Sequence, residues 1–475
     1  MADIRYVVLS DLHFGADNSV LTSVLSEGGG RFQVDPTAPT PLLEGMVAGL
    51  RELTAGQSDR PTLILAGDVL DLALSPDEVA ATAFEGFVDL AFAPADRLFA
   101  PVVYYLPGNH DHHLWETARE AQYVAALKGW PPGKALEAPW HTTRLLPERQ
   151  PPVTPGLLSA VIGHRTGCGD VSVHVAYPNL ALTAGGGRRC RVVSHGHFTE
   201  PIYTLMSHLR DLLFPDQRVP GAASIATLEE ENFAWIDFFW STLGRSGQVG
   251  VDVGLVYADL TSAAALDALV ANLLAGLMAH GKGPAWLRPV ETRVLCAIFK
   301  HEVNHLAKSE RGTPDVALSA RSQVGLRAYL GGPLAGQMRS DLGEVPPDVG
   351  FIWGHTHKPY VDTWAVDGYP NPVQILNTGG WVVDTAEAVD VQGGGAVLLD
   401  DDLNAVLVRF YNQTADGKPA PVKVLSAVAG NPLFDALAGA IDPAAEPWCS
   451  ISAAAASLVS ERHQLQVQVT AAKSP

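Results

Sequence analysis

The stretch that decides the fold is IRYVVLSDLH, residues 4–13, in which an apolar run passes directly into polar residues. The run is rich in β-branched and aromatic side chains, which favour a β-strand, and it ends at Asp11 and His13. The same pattern returns in LILAGD at residues 63–68 and in VVYYLPGN at residues 102–109. We therefore predict buried strands that each end in polar groups.

A helix is predicted between the first two of these strands, where apolar residues from Leu43 to Leu53 recur at helical spacing. Buried strands joined through helices indicate a layered α/β fold. Strand-like runs return at residues 191–194, 351–353 and 373–376, and a closing hairpin is predicted within residues 396–410. Ligands in such folds bind beyond the carboxyl ends of the strands, which is where the polar residues fall.

The composition is that of a globular protein, with 47% apolar and 17% charged residues. The formal net charge is −19, which disfavours nucleic acid as a partner because such binding depends on Lys and Arg. The four cysteines form no C-x-x-C pair, which favours reduced thiols and a cytoplasmic location. We expect no secretory signal, because no basic stretch followed by an apolar core is seen near the start of the sequence. We expect no transmembrane segment, because the longest apolar stretch, residues 263–278, is interrupted by Asp267 and Asn272.

Short polar motifs at the predicted strand ends carry the chemistry. They are Asp11-Leu12-His13, Gly67-Asp68, Gly108-Asn109-His110-Asp111, His195-Gly196-His197 and Gly354-His355-Thr356-His357. Carboxylate, imidazole and amide ligands without thiolate suit Mn²⁺, Fe or Zn²⁺. Two ligands spaced two residues apart on an extended chain point to the same side, so Asp11/His13 and His355/His357 can each grip one site. Each motif alone is a weak signal, but the ordered set is specific.

Taken together, these motifs resemble the calcineurin-like metallophosphoesterase superfamily, over roughly residues 4–200 and 345–410. The resemblance implies an α/β (α+β) fold, a four-layer β-sandwich flanked by helices, with a helical cap inserted. It also implies two divalent metal ions, Mn, Fe or Zn, with a hydroxide bridging them as the nucleophile. The implied ligands are Asp11, His13 and His357 for one metal, Asn109, His195 and His355 for the other, and Asp68 as the bridge.

The resemblance assigns further roles around the metals. His110 takes the position of the catalytic histidine, which stabilises charge or protonates the leaving oxygen, and Asp111 is expected to orient it. Asp71 either supports the metal face or is an ordinary acid at a helix start. His197 and His112 are candidates for substrate binding, with the alternative that both only border the site.

The chain is predicted to divide into a catalytic core of residues 1–200 and 344–413, a helical cap of residues 201–343 and a C-terminal extension of residues 414–475. Thr227 and Glu230 are interpreted as a capping box that opens an aromatic helix in the cap. The extension holds a possible last strand at residues 464–469. Bacterial UDP-diacylglucosamine pyrophosphohydrolases, which are similar in this one respect, place a helical lid at the same point.

The leading hypothesis is a metal-dependent phosphoesterase that acts on a diester or pyrophosphate bond in a small-molecule or lipid-linked substrate. A non-catalytic scaffold with the same fold is the alternative, and a nuclease is disfavoured by the charge. The run His301-Glu302-Val303-Asn304-His305 spells H-E-x-x-H, the pattern of zinc proteases. No further part of such a signature follows it, so the protease hypothesis ranks last.

Overall fold

A computed structural model describes residues 3–28, 31–213, 223–242, 313, 315–385 and 387–472. The strands are β1 (Ile4–Leu9), β2 (Thr22–Gly28), β3 (Arg31–Pro39), β4 (Thr62–Leu65), β5 (Val102–Tyr105), β6 (Ser172–Val175), β7 (Asn179–Ala184), β8 (Arg189–Ser194), β9 (Asp348–Trp353), β10 (Tyr360–Trp364), β11 (Val373–Asn377), β12 (Gly393–Asp400), β13 (Ala405–Asn412) and β14 (Lys423–Leu425). The α-helices are α1 (Pro41–Leu53), α2 (Asp77–Phe92), α3 (His113–Leu127), α4 (Gly156–His164), α5 (Leu205–Leu213), α6 (Ile225–Ile236), α7 (Ala320–Tyr329), α8 (Ala335–Leu342), α9 (Pro432–Ala440) and α10 (Trp448–Ala472).

The strands form two main sheets and a small hairpin. The first sheet has seven strands in the order β14-β13-β12-β1-β4-β5-β6, and β1, β4, β5 and β6 run parallel. The second has five strands in the order β10-β11-β9-β8-β7, with β8, β9 and β11 parallel. The hairpin pairs β2 with β3. The carboxyl ends of the parallel strands in each sheet therefore lie along one edge.

One apolar cluster draws side chains from both sheets. Val8 and Ile64 come from the first sheet, and Val193, Ile352 and Leu376 come from the second. A larger cluster packs helices α1 and α2 on the first sheet and also includes apolar side chains of the second sheet. The sheets therefore pack face to face, which sets the carboxyl ends of β1, β4 and β5 near those of β8 and β9.

Most predicted elements are confirmed. The apolar runs are strands β1, β4, β5, β8, β9 and β11, the closing hairpin is β12 with β13, and the helix after residue 41 is α1. The architecture is mixed α/β and compatible with the predicted α+β class. In the segment predicted as a cap, Ser224 and not Thr227 is the N-cap of helix α6, because its side chain accepts from the Thr227 backbone N–H at 3.0 Å.

The C-terminal residues pack on the core. The strand predicted at residues 464–469 is wrong, because this segment belongs to the 25-residue helix α10. In residues 464–469 glutamine alternates with apolar residues, which suggested a strand. The alanine-rich run that precedes this segment favours a helix, and the helix continues through it. Arg462 on this helix is buried, and its guanidinium donates to the carbonyl oxygens of Ser19 at 3.1 Å and Thr22 at 2.5 Å. Helix α10 is thus tied to the loop that follows β1 and to the first residue of β2.

Replacing Arg462 with alanine is expected to lower the free energy of unfolding by about 3 kcal/mol, because it leaves buried carbonyl oxygens without donors. Chemical denaturation monitored by circular dichroism measures this change. The matched control is Arg5→Ala, which removes long ion pairs of 3.7 and 3.8 Å from an exposed arginine. The control should change the free energy by no more than about 0.5 kcal/mol. Equal effects of the two substitutions would contradict the anchoring role of Arg462.

Candidate metal centre

The residues of the sequence motifs lie together at the carboxyl ends of strands from both sheets. Asp11 and His13 follow β1, Asp68 follows β4, and Asn109 and His110 follow β5. From the second sheet, His195 follows β8, and His355 and His357 follow β9. All of these side chains are buried or nearly so in the described structure. The fold thus brings motifs from five strands into one compact volume.

The backbone is left-handed at five of the predicted ligands. The φ angles are 53° at Asp11, 47° at His13, 49° at Asp68, 69° at His355 and 56° at His357. Among the described residues other than glycine, only Leu403 shares this conformation. The expectation of ligands on an extended chain is therefore wrong, because the chain turns sharply at each ligand. Non-glycine residues in this region are strained, and such strain concentrates at functional sites.

Two glycines allow the loops to pack this closely. A Cβ atom on Gly108 would lie 2.2 Å from Oδ1 of Asp68, and one on Gly354 would lie 1.9 Å from Oδ2 of Asp11. The carboxylates themselves join the loops: Oδ1 of Asp68 accepts from the His110 N–H at 2.7 Å, and Asp11 accepts from the His355 N–H at 2.9 Å. These glycine positions therefore require the absence of a side chain.

One cluster contains Asp11, His13 and His357, whose ligand atoms lie within 4.8 Å of one another. The Nε2 atoms of His13 and His357 are 3.2 Å apart, and Oδ1 of Asp11 is 3.4 Å from Nε2 of His357. On the far side of each ring, Nδ1 faces a carboxylate: Asp71 at 3.0 Å for His13 and Asp384 for His357. Since a carboxylate only accepts, Nδ1 carries the proton in the neutral rings, and the Nε2 lone pairs converge. A cation between them fits this arrangement.

A second cluster contains Asp68, His195 and His355. Nε2 of His195 lies 3.0 Å from Oδ1 of Asn109 and 3.2 Å from Nδ1 of His355. Nδ1 of His195 faces the carbonyl oxygen of Ala66 at 3.1 Å, so its neutral ring also presents a lone pair at Nε2. Oδ2 of Asp68 is 3.4 Å from Nε2 of His195 and 3.8 Å from Nε2 of His13. Asp68 thus lies between the two clusters.

Two carboxylates missed in the sequence lie on the outer sides of two histidines. Asp384 contacts Nδ1 of His357, and Oε1 of Glu200 lies 3.3 Å from Nε2 of His355. A hydrogen-bonded outer partner such as Asp384 fixes the orientation of a ligand ring and raises its basicity. Neither acid lies in a recognised motif. The only signal is position: Asp384 follows the Asn377-Thr378-Gly379-Gly380-Trp381 turn, and Glu200 follows the second-sheet histidine motif.

The buried charges perturb one another. Although burial opposes the charged form, the nearby imidazoles hold the pKa of Asp68 well below its usual range. Burial also disfavours an imidazolium, but Asp68 raises the pKa of His195 to about 9, and Asp384 raises that of His357 to about 10. Without a metal the site therefore balances its carboxylates with protons on histidine. A divalent cation that binds there displaces those protons.

His110 lies beside the first cluster, with its ring centre 4.8 Å from that of His13. Asp71 connects the two rings: its Oδ1 is 2.9 Å from Nδ1 of His110, and its Oδ2 faces His13. Asp71 therefore holds the orienting position that the sequence assigned to Asp111. Asp111 instead accepts backbone N–H groups of Gly108 at 2.7 Å and Val69 at 2.8 Å. Its carboxylate ties the β4 and β5 loops together.

The two substrate-binding candidates lie in a buried network behind the second cluster. Nε2 of His112 is 2.9 Å from Oε1 of Glu229 on α6, and Nε2 of His197 is 3.1 Å from the Tyr177 hydroxyl. Burial lowers and Glu229 raises the pKa of His112, which reaches about 10. Burial, with the neighbouring His195, keeps the pKa of His197 well below its ordinary value.

The H-E-x-x-H run of the protease hypothesis, with His301, Glu302 and His305, lies outside the described residues.

The comparisons with known proteins add little to this geometry. No protein-family model matches the chain, and no curated protein matches it. One solved structure that it is similar to is a phosphopantetheinyl hydrolase from Mycobacterium tuberculosis, with 15% sequence identity over 80% of this chain and 90% of that chain. The TM-score of 0.25 is too low for this likeness to carry an argument. Separately, none of the described helices combines the length and hydropathy needed to cross a membrane.

Replacing Asp384 with asparagine is expected to weaken Mn²⁺ binding about 10- to 100-fold, because His357 loses the carboxylate that orients its ring. Isothermal titration calorimetry on metal-stripped protein measures the change. Asp402→Asn, which alters an exposed turn, is the matched control and should leave the affinity unchanged. An affinity unaffected by Asp384→Asn would contradict the role of this carboxylate.

The His112–Glu229 pair makes stability depend on pH. The pKa of His112 rises from 6.5 to about 10 on folding. The pair therefore makes its full contribution to the free energy of unfolding below about pH 6.5. This contribution is lost as the pH rises toward about 10. The difference in thermal midpoint between the wild type and Glu229→Gln should therefore shrink across this range. A difference that stays constant with pH would show that the pair carries no charge.

Proposed function

We propose that this chain is a phosphoester hydrolase that depends on two divalent metal ions, of the calcineurin-like kind. The observation that carries the proposal is the pair of buried His/Asp clusters that share Asp68 between them. Structural ion pairs seldom require strained backbone at five polar residues, whereas a dinuclear centre must aim several side chains at two points. We also propose that the two sheets and the helices that flank them form the four-layer sandwich of that family.

The geometry supports the following set of ligands. Asp11, His13 and His357 would hold one ion, Asn109, His195 and His355 the other, and Asp68 would bridge them. The mixed nitrogen and oxygen donors suit Mn²⁺, Fe or Zn²⁺. When bound, such a pair of ions supplies Lewis acidity toward the phosphoryl oxygens and the attacking water. The chain's own part is to hold the ligands in place before substrate arrives.

His110 is the proposed catalytic side chain. Asp71 fixes its Nδ1, so Nε2 is the atom that can face the substrate. A proton at Nε2 would stabilise charge on the phosphoryl group or pass to the leaving oxygen. Asp71 also contacts His13, so one carboxylate would set both the proposed acid and a metal ligand. Asp111 would act indirectly, through the backbone of the loop that carries Asn109 and His110.

A small-molecule or lipid-linked diester or pyrophosphate is the proposed substrate class. The net charge of −19 disfavours nucleic acid. Aromatic side chains from the cap region border the second cluster: the Tyr203 ring lies 5.0 Å from His355 and 5.0 Å from Trp240. Such side chains suit an apolar or planar group attached to the phosphate.

The proposal is tested by hydrolysis of bis(p-nitrophenyl) phosphate and p-nitrophenyl phosphate with added Mn²⁺. Asp68→Asn should abolish activity and weaken the binding of both metals. His110→Ala should lower kcat about 10²- to 10⁴-fold, the usual contribution of a general acid, while the bound metal stays. His164→Ala removes a histidine on the exposed face of α4 and should leave the rate unchanged.

Two results would contradict the proposal. Tight binding of two metals without turnover of any phosphoester would favour the scaffold alternative. Peptide-bond hydrolysis that survives Asp68→Asn and is lost in Glu302→Gln would favour the protease alternative. Preferential hydrolysis of oligonucleotides would correct the substrate class to that of a nuclease.

A further inference from the structure

A chain of buried hydrogen bonds joins the cap region to the metal centre. Glu229 on α6 is fully buried, and its Oε2 accepts from the Tyr177 hydroxyl at 2.8 Å. The Tyr177 oxygen lies 3.1 Å from Nε2 of His197. The ring of His197 in turn lies 5.6 Å from that of His195, a proposed metal ligand. The path Glu229–Tyr177–His197 thus begins in the cap region and ends beside the centre.

The direction of these bonds follows from the chemistry of the groups. A carboxylate only accepts, so the hydroxyl proton of Tyr177 points to Glu229. The Tyr177 oxygen is then left as an acceptor, and Nε2 of His197 must donate to it. A neutral imidazole with its proton on Nε2 has a lone pair on Nδ1. The charge on Glu229 is supported from its other side by His112 at 2.9 Å.

Nδ1 of His197 is a buried acceptor without a donor among the described residues. His197 also belongs to none of the described groups whose geometry could hold a metal. A buried polar atom without a partner is costly, and each such atom in a native protein calls for an explanation. Because the His197 ring lies 5.6 Å from that of His195, the donor is to be sought at the metal centre.

We propose that Glu229 and Tyr177 fix the tautomer of His197 so that its Nδ1 accepts a hydrogen bond from an O–H donor at the active centre. The donor is a hydroxyl of the substrate or an ordered water. The placement of substrate rests on the proposed function. A contact from this Nδ1 to an unprotonated phosphate oxygen does not fit, because both atoms are acceptors. Glu229 and Tyr177 are positioning residues, since they act through His197.

The tautomer can be read by ¹⁵N NMR of the full-length, Zn²⁺-loaded chain labelled at histidine, with the His197 signals assigned by their loss in His197→Gln. The wild type should show the proton on Nε2. Tyr177→Phe should give a mixture of tautomers and an about tenfold lower kcat at unchanged metal content. Tyr369→Phe removes a hydroxyl that donates to the Leu330 carbonyl at 3.0 Å, and this control should change neither.

Two phosphonates that cannot be hydrolysed distinguish the donors. An upfield shift of the His197 Nδ1 signal with 2-hydroxyethylphosphonate, but not with ethylphosphonate, supports a substrate hydroxyl. A hydrogen-bonded Nδ1 already present in the free protein supports an ordered water.

A proton on Nδ1 in the wild type, or an unchanged tautomer in Tyr177→Phe, would overturn the inference. So would an Nδ1 without a hydrogen bond in the free protein and with both phosphonates. Because the tautomer is measured without turnover, failure of the proposed hydrolase activity would be seen separately.

Discussion

The burial of Asp68 between two groups of imidazoles is the constraint on which the rest of the site depends. A carboxylate that is only 2% exposed needs compensating positive charge and hydrogen bonds. Its Oδ1 accepts from the backbone of the β5 loop, and its Oδ2 lies between His13 and His195. Oδ2 of Asp68 thus lies between a histidine of each sheet and of each cluster. The loops that carry these side chains therefore cannot move apart without separating the charges.

The two sheets provide the rigid frame that this constraint requires. Apolar strands fix where each loop begins, and left-handed backbone at the ligands turns the side chains inward. Strain at these positions is compensated by the packed core on one side and by bonds such as that from the His355 N–H to Asp11 on the other. Outer carboxylates then orient the rings. Asp71 and Asp384 play this part from two different segments, and Glu200 lies beside the ring of His355.

The strands and the meeting of the polar motifs at one place were predictable from local signals, because apolar runs set the strands and the polar motifs follow them directly. The outer partners were not, because Asp384 and Glu200 meet their histidines only through tertiary packing. Asp111 was expected to orient His110 because it is the next residue in the sequence. Asp71 contacts His110 instead, and this contact too arises only through tertiary packing. At residues 464–469 local alternation suggested a strand, but the surrounding helix prevailed.

Anomalous X-ray diffraction from crystals soaked in Mn²⁺ tests the central claim most directly. The account predicts two manganese peaks roughly 3.5–4 Å apart, with a carboxylate oxygen of Asp68 between them. His13 and His357 should contact one peak, and His195 and His355 the other. A single peak, or peaks that do not touch Asp68, would contradict a dinuclear centre and with it the proposed phosphoesterase chemistry.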